Sequence, residues 1–506
     1  MSSALATDAG VVAGDRLLAQ VGAGTMDPVA YDTAWLARLT RRGDPGRALF
    51  PECAAWLLRA QRPDGSWGAE RETLHDRVAA TLAAMVALET LLRHEVRLPE
   101  PPAAVRHRLA DARAYLYARG PALIHDPWET VGFELAVPVL LVQARSLGLE
   151  LPWEAFAFVA QRRAAKLAGL PRGWQGAVGA AMVHTLEGWG CEGDPHLPGL
   201  RGANGSCANS PSATAFYYAH IPDETARAYL QECRRRGGGG VADVFPFDVF
   251  EAAWVLDHLQ TGGVLTSAAA RAPLVASLVA AWGDGARGVG IAASGLEPDA
   301  DDTALTALVL QREGRAVGCS ALAAFRRPGG FACFPFERNP SVSANIHAAY
   351  ALWATGEAAA ADLAPVRAYL ADARRPEGCW TDKWHISPWY PTCRAVIGLS
   401  DLWPELVAPA VEWLLDGQHP EGAWGTGGGT AEETAYAVQA LSRVGGHRRE
   451  HARRAMAAAE AILREEPAAA RPALWVGKGL YHPRRVVDAA VLAARQLCSA
   501  LEGGAR

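Results

Sequence analysis

The sequence predicts an all-α protein built as two α-α barrels, and three observations carry this. Apolar residues recur at helical spacing along nearly the whole chain; within 74–94, Val78, Leu82, Met85 and Leu92 fall on one face. Period-two runs of β-branched residues are scarce, so no sizeable sheet is expected. A Trp-bearing turn recurs three times after apolar helices: Gln61-Arg62-Pro63-Asp64-Gly65-Ser66-Trp67, Arg374-Arg375-Pro376-Glu377-Gly378-Cys379-Trp380 and Gln418-His419-Pro420-Glu421-Gly422-Ala423-Trp424.

Further helices are expected near 138–148, 250–260, 303–311, 345–355, 405–415, 432–443 and 485–501, where the same periodicity lies between Pro and Gly clusters. Within each repeated turn, Pro-Asp-Gly or Pro-Glu-Gly ends a helix and the Trp packs back on it. The Gln amide can tie the turn to a neighbouring helix end. The second and third turns start 44 residues apart (374 to 418), about the length of a two-helix repeat. Stacked helix hairpins close into a barrel with an inner ring, an outer ring and a cavity at one end. The first turn lies far upstream, so one barrel is expected over roughly 25–259 and another over roughly 260–506. Gly237 to Gly240 is the candidate break near their boundary.

Composition sets the class. Half of the 506 residues are hydrophobic and a fifth are charged, as in a globular chain. The net charge of −5 argues against a nucleic-acid partner. No two of the nine cysteines have C-x-x-C spacing, which disfavours a zinc or redox site and suits a reducing compartment. No signal peptide and no apolar run of about 18 residues is seen, so a cytoplasmic protein without a membrane span is expected.

Leu296-Glu297-Pro298-Asp299-Ala300-Asp301-Asp302-Thr303 precedes an apolar helix. Acids at such a position cap the helix and favour the positive end of its dipole. Clustered carboxylates also resist ionising together, so one of them keeps its proton. Asp299 and Asp302 are i, i+3 neighbours and Asp301 points elsewhere. A proton on Asp301 could be delivered into a dry cavity as a general acid. The abundant Trp and Tyr could offer faces to a carbocation formed there, or simply pack the core.

Seven further segments bear on function: Tyr31-Asp32-Thr33-Ala34-Trp35, Glu129-Thr130-Val131-Gly132-Phe133-Glu134, His184-Thr185-Leu186-Glu187-Gly188, Ser210-Pro211-Ser212-Ala213-Thr214-Ala215, Ser343-Ala344-Asn345-Ile346-His347, Asp382-Lys383-Trp384-His385-Ile386-Ser387-Pro388, and Leu474-Trp475-Val476-Gly477-Lys478-Gly479-Leu480-Tyr481. With the DxDD of Asp299 to Asp302, and in this order, they resemble class II terpene cyclases, specifically the bacterial relatives of plant copalyl diphosphate synthases. The repeated Trp turns resemble the QW motifs of triterpene cyclases.

The resemblance implies an intramolecular-lyase type of isomerase with two barrels, named β and γ in that family, and the active site between them. The γ domain (25–259) would be inserted after the first helix of β (1–24 plus 260–506). Asp301 would protonate the terminal alkene, with Asp299 and Asp302 orienting it and sharing its hydrogen bonds. Asn345 would hydrogen-bond the acid. Lys166 and Lys383, and less strongly Lys478 and Arg485, would bind the diphosphate, and Glu134 would help hold Mg²⁺. His184 matches the His that holds the deprotonating water in plant enzymes making the ent product. Its Asn partner is replaced by Asp243, which puts the identity of the terminal base in question.

The expected reaction is the protonation-initiated bicyclisation of geranylgeranyl diphosphate. The product would be a copalyl-, halimadienyl- or clerodienyl-type diphosphate. No class I ionisation motif is visible, so the diphosphate should be retained. Farnesyl diphosphate giving drimenyl diphosphate is the alternative, and a separate class I synthase could consume the product. A glycoside hydrolase on an α-α barrel also pairs carboxylates with Trp platforms but leaves Lys166, Lys383 and Glu134 unexplained. A helical scaffold without chemistry leaves the Asp382 and Ser210 segments unexplained.

Overall fold

A computed structural model describes residues 11–168, 182–190, 196–335, 337, 340–465 and 471–503. Two rings of helices, each closed on itself, make up the fold. A short helix at 11–18 (α1) leads into the first ring. Its members are α2 (Ala30–Ala37), α4 (Leu74–Arg93), α6 (Phe133–Ser146), the 3₁₀ segment Val183–Gly188 and α8 (Pro211–His220). Each touches the next, and α8 returns to α2. Outside them lie α3 (Pro51–Ala60), α5 (Pro102–Arg119), α7 (Ala157–Ala168) and α9 (Glu224–Arg236).

The second ring runs α10 (Asp248–Thr261), α12 (Ala300–Arg312), α13 (Val342–Ala354), α15 (Trp389–Leu399), α17 (Ala431–Leu441) and α19 (Arg484–Gly503), which closes on α10. The outer helices are α11 (Ala268–Trp282), α14 (Ala364–Ala373), α16 (Pro404–Asp416) and α18 (Arg449–Glu465). Only short antiparallel hairpins accompany the helices among the described residues: β1 (Thr40–Arg41) with β2 (Asp44–Ala48), β3 (Arg326–Arg327) with β4 (Gly330–Phe331), and β5 (Trp475–Val476) with β6 (Leu480–Tyr481). No described helix is long and apolar enough to cross a membrane.

Inner and outer helices read differently for a physical reason. In α9 the buried positions Ala226, Tyr229, Leu230 and Cys233 form one stripe, because the other side meets water. In α4 every residue from Leu74 to Leu88 is buried, so the single apolar face expected from 74–94 is instead a helix enclosed all round.

The three Trp turns share one set of contacts. Trp67, Trp380 and Trp424 are fully buried. Their indole N–H groups donate to Leu57, Leu370 and Leu414 carbonyls at 2.8, 2.7 and 2.7 Å, each at the C-terminal part of the preceding outer helix. Their backbone N–H groups donate to Thr81, Thr392 and Thr434 on the following inner helix. Gln418 Nε2 bonds Gly422 O within the turn and Ala455 O on α18. The orphan carbonyls of one helix end are thus satisfied by the start of the next unit. Gly422 sits at φ 96°, with Ala458 O only 2.2 Å from where a Cβ would be, so a side chain is excluded there.

Two hydrophobic cores follow the rings. One contains residues 30–241; the other contains Leu17, Leu18, Met26, Val29 and residues from Val244 to Cys498. The division near 242 differs from the expected boundary at 259: α10, assigned from sequence to the inserted domain, packs in the larger core. Gly237–Gly240 ends α9 as a turn, and the chain crosses immediately afterwards. Residues 1–10 of the segment expected to join the C-terminal barrel lie outside the described residues.

Candidate active site

A cavity between the two domains encloses about 850 Å³ of space not filled by protein atoms, its mouth included. Phe250, Trp254, Phe334, Trp384, Trp475 and Tyr481 line it, and so do Asp299, Asp301, Asp302, His184 and Asp243. Phe250 stacks on Trp254 at 4.1 Å between ring centroids. Such a wall excludes water and presents aromatic faces, which suits a cationic hydrocarbon.

The acids sit at the start of α12 because Pro298 and the N-cap Asp299 begin it there. Asp299 Oδ1 accepts the Asp302 N–H at 2.8 Å. Asp302 Oδ1 is buried and receives no hydrogen bond from a donor group. Burial first, then the Asp299 charge and the hydrogen bond between the two, push Asp302 well above the ordinary carboxylate range. Burial likewise pushes Asp299 up to about 7. A proton shared between the two satisfies the orphan oxygen.

Asp301 is 9% exposed and takes its hydrogen bonds from α13. His347 Nδ1 lies 2.5 Å from its Oδ1, and Ser343 Oγ donates to Oδ2 at 3.1 Å. These contacts correct the expectation that Asp299 and Asp302 share its bonds and that Asn345 holds it. Asn345 instead clamps the β3–β4 hairpin: its Oδ1 accepts Phe331 N–H at 2.8 Å, and its Nδ2 donates to Phe331 O and Ser341 O, both at 2.8 Å. Helix geometry is the reason. Ser343 and His347 are four apart and share a face, whereas Asn345, two from each, points away from it. That spacing was the signal in the sequence for His347.

His347 is itself fixed from behind. Arg394 Nε donates to His347 Nε2 at 2.8 Å, and its Nη1 donates to Asp257 Oδ2 at 2.6 Å. Arg312 holds the other Asp257 oxygen at 2.8 Å. Burial opposes the Asp257 charge, yet Arg394 and Arg312 keep this carboxyl well below its usual range. An arginine does not give up its proton, so Nε2 of His347 is an acceptor. The hydrogen of the neutral ring is then on Nδ1, facing Asp301 Oδ1. Asp382 Oδ2 competes at 3.0 Å for the Ser343 hydrogen. Oδ2 of Asp301 is therefore the oxygen that the imidazole does not occupy.

His184 and Asp243 reach the same cavity from the other domain and from the crossover. His184 Nδ1 contacts Ala208 O at 2.9 Å, so it is the protonated nitrogen and Nε2 is the acceptor. Burial, and then the Lys478 charge, push this ring down to about 3. Asp243 is fully buried and accepts the Lys478 N–H at 3.1 Å.

The expected anion-binding residues separate into two groups. Glu134 forms an ion pair with half-exposed Lys166, and Val131, three residues before Glu134, lines the cavity. Lys383 pairs with Glu337 at 2.7 Å, and its neighbour Trp384 lines the cavity. Lys478 and Arg485 do not join them. Lys478 is 3% exposed, and its Nζ donates to Glu187 Oε1 at 2.8 Å and to Ser210 and Ser212 Oγ at 2.5 Å each. Arg485 pairs with Asp488 one turn along α19.

No group of three or more metal-ligating side chains occurs among the described residues. Glu134 offers one carboxylate. That donor set fits Mg²⁺ bound mainly through substrate phosphate oxygens.

Comparison with known proteins agrees with this architecture. The squalene-hopene cyclase C-terminal domain family matches residues 339–468. The chain is 32% identical to a type B diterpene cyclase of Mycobacterium tuberculosis over 95% of its own length and 98% of that protein. It is 33% identical to a copalyl diphosphate synthase of Streptomyces cyslabdanicus, over 94% and 93% of the two chains. The solved ent-copalyl diphosphate synthase from Streptomyces platensis superposes with a TM-score of 0.80 at 32% identity, covering 97% of this chain and 99% of that one. Two helical rings, a cavity between them lined by DxDD acids and aromatic rings, and these full-length similarities show that the chain belongs to the class II terpene cyclases, among the diterpene cyclases and copalyl diphosphate synthases.

Proposed function

We propose that the enzyme bicyclises geranylgeranyl diphosphate to a copalyl-, halimadienyl- or clerodienyl-type diphosphate, with the diphosphate retained. The observation that carries the reading is Asp301. One of its oxygens is occupied by His347, the residue lines an aromatic cavity, and the reading puts the proton on the other oxygen. Asp301 gives that proton to the distal alkene. The alkene π pair becomes the new C–H bond, and the O–H pair stays on the carboxylate. Two ring closures follow as internal alkenes supply their π pairs to the cation, and the aromatic faces shield it from water. Loss of a proton then restores an alkene.

Lys166, Lys383 and Glu134 support anchoring of the diphosphate, with Mg²⁺ neutralising phosphate charge when bound. Keeping that anion away from Asp301 preserves the proton for the alkene. The relatives named for an activity are diterpene cyclases and copalyl diphosphate synthases, which favours geranylgeranyl over farnesyl diphosphate. A retained diphosphate implies a later enzyme that ionises it, a class I synthase in the same cytoplasm.

Paired incubations with geranylgeranyl and farnesyl diphosphate plus Mg²⁺, followed by dephosphorylation and gas chromatography–mass spectrometry, test the reading. A bicyclic C20 alcohol is expected, and none from Asp301→Asn. Uncyclised alcohols from both substrates with folded protein would reject it.

A further inference from the structure

We infer that Asp243, backed by Asp32, takes up the proton lost at the end of cyclisation. The inference rests on the protonation-initiated reading above and names the other end of its proton path.

Three features point to this pair. First, Asp243 lines the cavity, and Tyr481, a neighbouring wall residue, lies within electrostatic reach of both Asp243 and Asp302. One apolar space is thus bounded by two separate carboxyl clusters, one from α12 and one from the domain crossover. Second, Asp32 and Asp243 are both fully buried and hydrogen-bonded to each other. Asp32 Oδ1 accepts Ser212 N–H at 2.9 Å, while its Oδ2 meets no donor group. Two buried carboxyls in contact cannot both ionise cheaply, and one shared proton satisfies the orphan oxygen. Burial pushes both above the ordinary range, against the opposing charge of Lys478.

Third, the cation that opposes the burial of both acids, Lys478, is also engaged by another carboxyl. Glu187 Oε1 accepts from Lys478 Nζ, Tyr31 OH and Ser212 Oγ, as a carboxylate does. Lys478 is therefore shared with Glu187, buried Asp76 adds a further carboxyl within reach of Asp243, and the pair with its single proton carries −1. That charge stabilises a cation in the cavity, and accepting a proton neutralises the pair. His184 has the opposite balance: its protonation would add a second positive charge beside Lys478. Gly477 makes the arrangement possible, since a Cβ there would lie 1.9 Å from Asp243 Oδ2.

In the step itself, a C–H bond beside the final cation breaks. Its electron pair becomes the alkene π bond, and a lone pair on Asp243 forms the new O–H bond. Asp301 has lost one proton and the pair has gained one, so exchange with solvent resets both before the next turnover. Asp243 is the catalytic residue here, and Asp32 is a positioning residue.

The test compares products from geranylgeranyl diphosphate for wild type, Asp243→Asn, Asp243→Ser and Asp32→Asn. The wild-type alkene should fall at least tenfold as a share of product in the Asp243 variants, replaced by alkene isomers or water-captured alcohols. Asp32→Asn replaces the acid that shares a proton with Asp243, so the pH profile of the wild-type alkene share should shift, whereas a merely structural Asp32 would leave that profile unmoved. Two Asp243 substitutions guard against one failing to fold. An unchanged product profile in a folded Asp243 variant overturns the inference. So does a profile changed by His184→Ala but by neither Asp243 variant. Failure of wild type to form any bicyclic product would instead overturn the reading on which the inference rests.

Discussion

His347 Nδ1 and Asp301 Oδ1 are 2.5 Å apart, and the hydrogen between them is assigned by a third residue, Arg394, 2.8 Å behind the ring. Asp257, Arg394, His347 and Asp301 form one chain of contacts from the barrel core to the cavity. Its consequence is directional: the imidazole donates to one carboxyl oxygen, and the proposed mechanism places the acidic proton on the other.

Breaking this chain at Arg394 should separate chemistry from packing. Arg394→Lys keeps a cation beside Asp257 but loses the fixed Nε–H, so turnover should fall about tenfold, below the roughly 10²–10⁴-fold that a general acid contributes. Arg394→Met leaves only Arg312 on buried Asp257, and the loss of one partner of a buried pair costs about 3–5 kcal/mol. Single-turnover rates and urea denaturation of both variants check this. Lys and Met variants that are equally active would refute the tautomer argument.

Asn345 should behave as a structural residue. Asn345→Ala removes three hydrogen bonds that pin Phe331 and the start of α13. Leaving buried backbone groups unpaired costs about 1–3 kcal/mol each. The denaturation midpoint should drop sharply, with product identity unchanged in the protein that remains folded. His347→Ala should do the reverse, with a large loss of turnover and a smaller loss of stability. A stable Asn345→Ala enzyme without activity would restore Asn345 to the acid.

These assignments also show what the sequence could and could not reveal. The helical rings were legible because burial writes itself into local periodicity, and the Trp turns because the same contacts recur at Trp67, Trp380 and Trp424. The place of Asp301 at a helix start was legible from its motif, and its partner was legible only through the four-residue spacing of Ser343 and His347, since Asn345 lies two residues from each and only helix geometry decides between them. Lys478 looked like an anion-binding lysine because its partners, Glu187, Ser210 and Ser212, are more than 260 residues away in sequence. The boundary near 242 was hidden because α10 is enclosed by apolar neighbours whichever ring it joins.

The lysines should divide as their surroundings do. Lys166→Ala and Lys383→Ala should raise KM for the diphosphate substrate about tenfold or more, with little change in melting temperature. Surface ion pairs such as that of Lys166 with Glu134 contribute only about 0–1 kcal/mol. Lys478→Met should instead destabilise by about 3–5 kcal/mol, because buried Glu187 loses its cation. Steady-state kinetics with thermal denaturation checks both halves. A stable Lys478→Met enzyme with a raised KM would return that lysine to the diphosphate.

Finally, activity should fall on the alkaline side of neutrality. Burial raises Asp299 from an ordinary carboxylate value to about 7, and burial with the Asp299 charge raises Asp302 as well. A group raised in the folded state favours folding fully below its unfolded value, and that contribution is lost as pH rises through its folded value. The acid cluster therefore keeps its proton at pH 6 and begins to lose it above about 7. A second negative charge next to Asp301 then disfavours forming the carboxylate that proton delivery leaves behind. Turnover should decline between about pH 7 and 8.5, with the substrate diphosphate fully bound. Asp299→Asn removes one of the coupled charges, so in any folded variant with residual activity the second negative charge cannot form and the alkaline decline should flatten. Asp302 loses the neighbouring charge that helps to raise it, and the cluster can then carry only one negative charge beside Asp301. A pH–rate profile under saturating substrate decides the matter. A rate that rises from pH 6 to 8.5, or an alkaline limb unmoved by Asp299→Asn, would show that this pair does not govern the proton on Asp301.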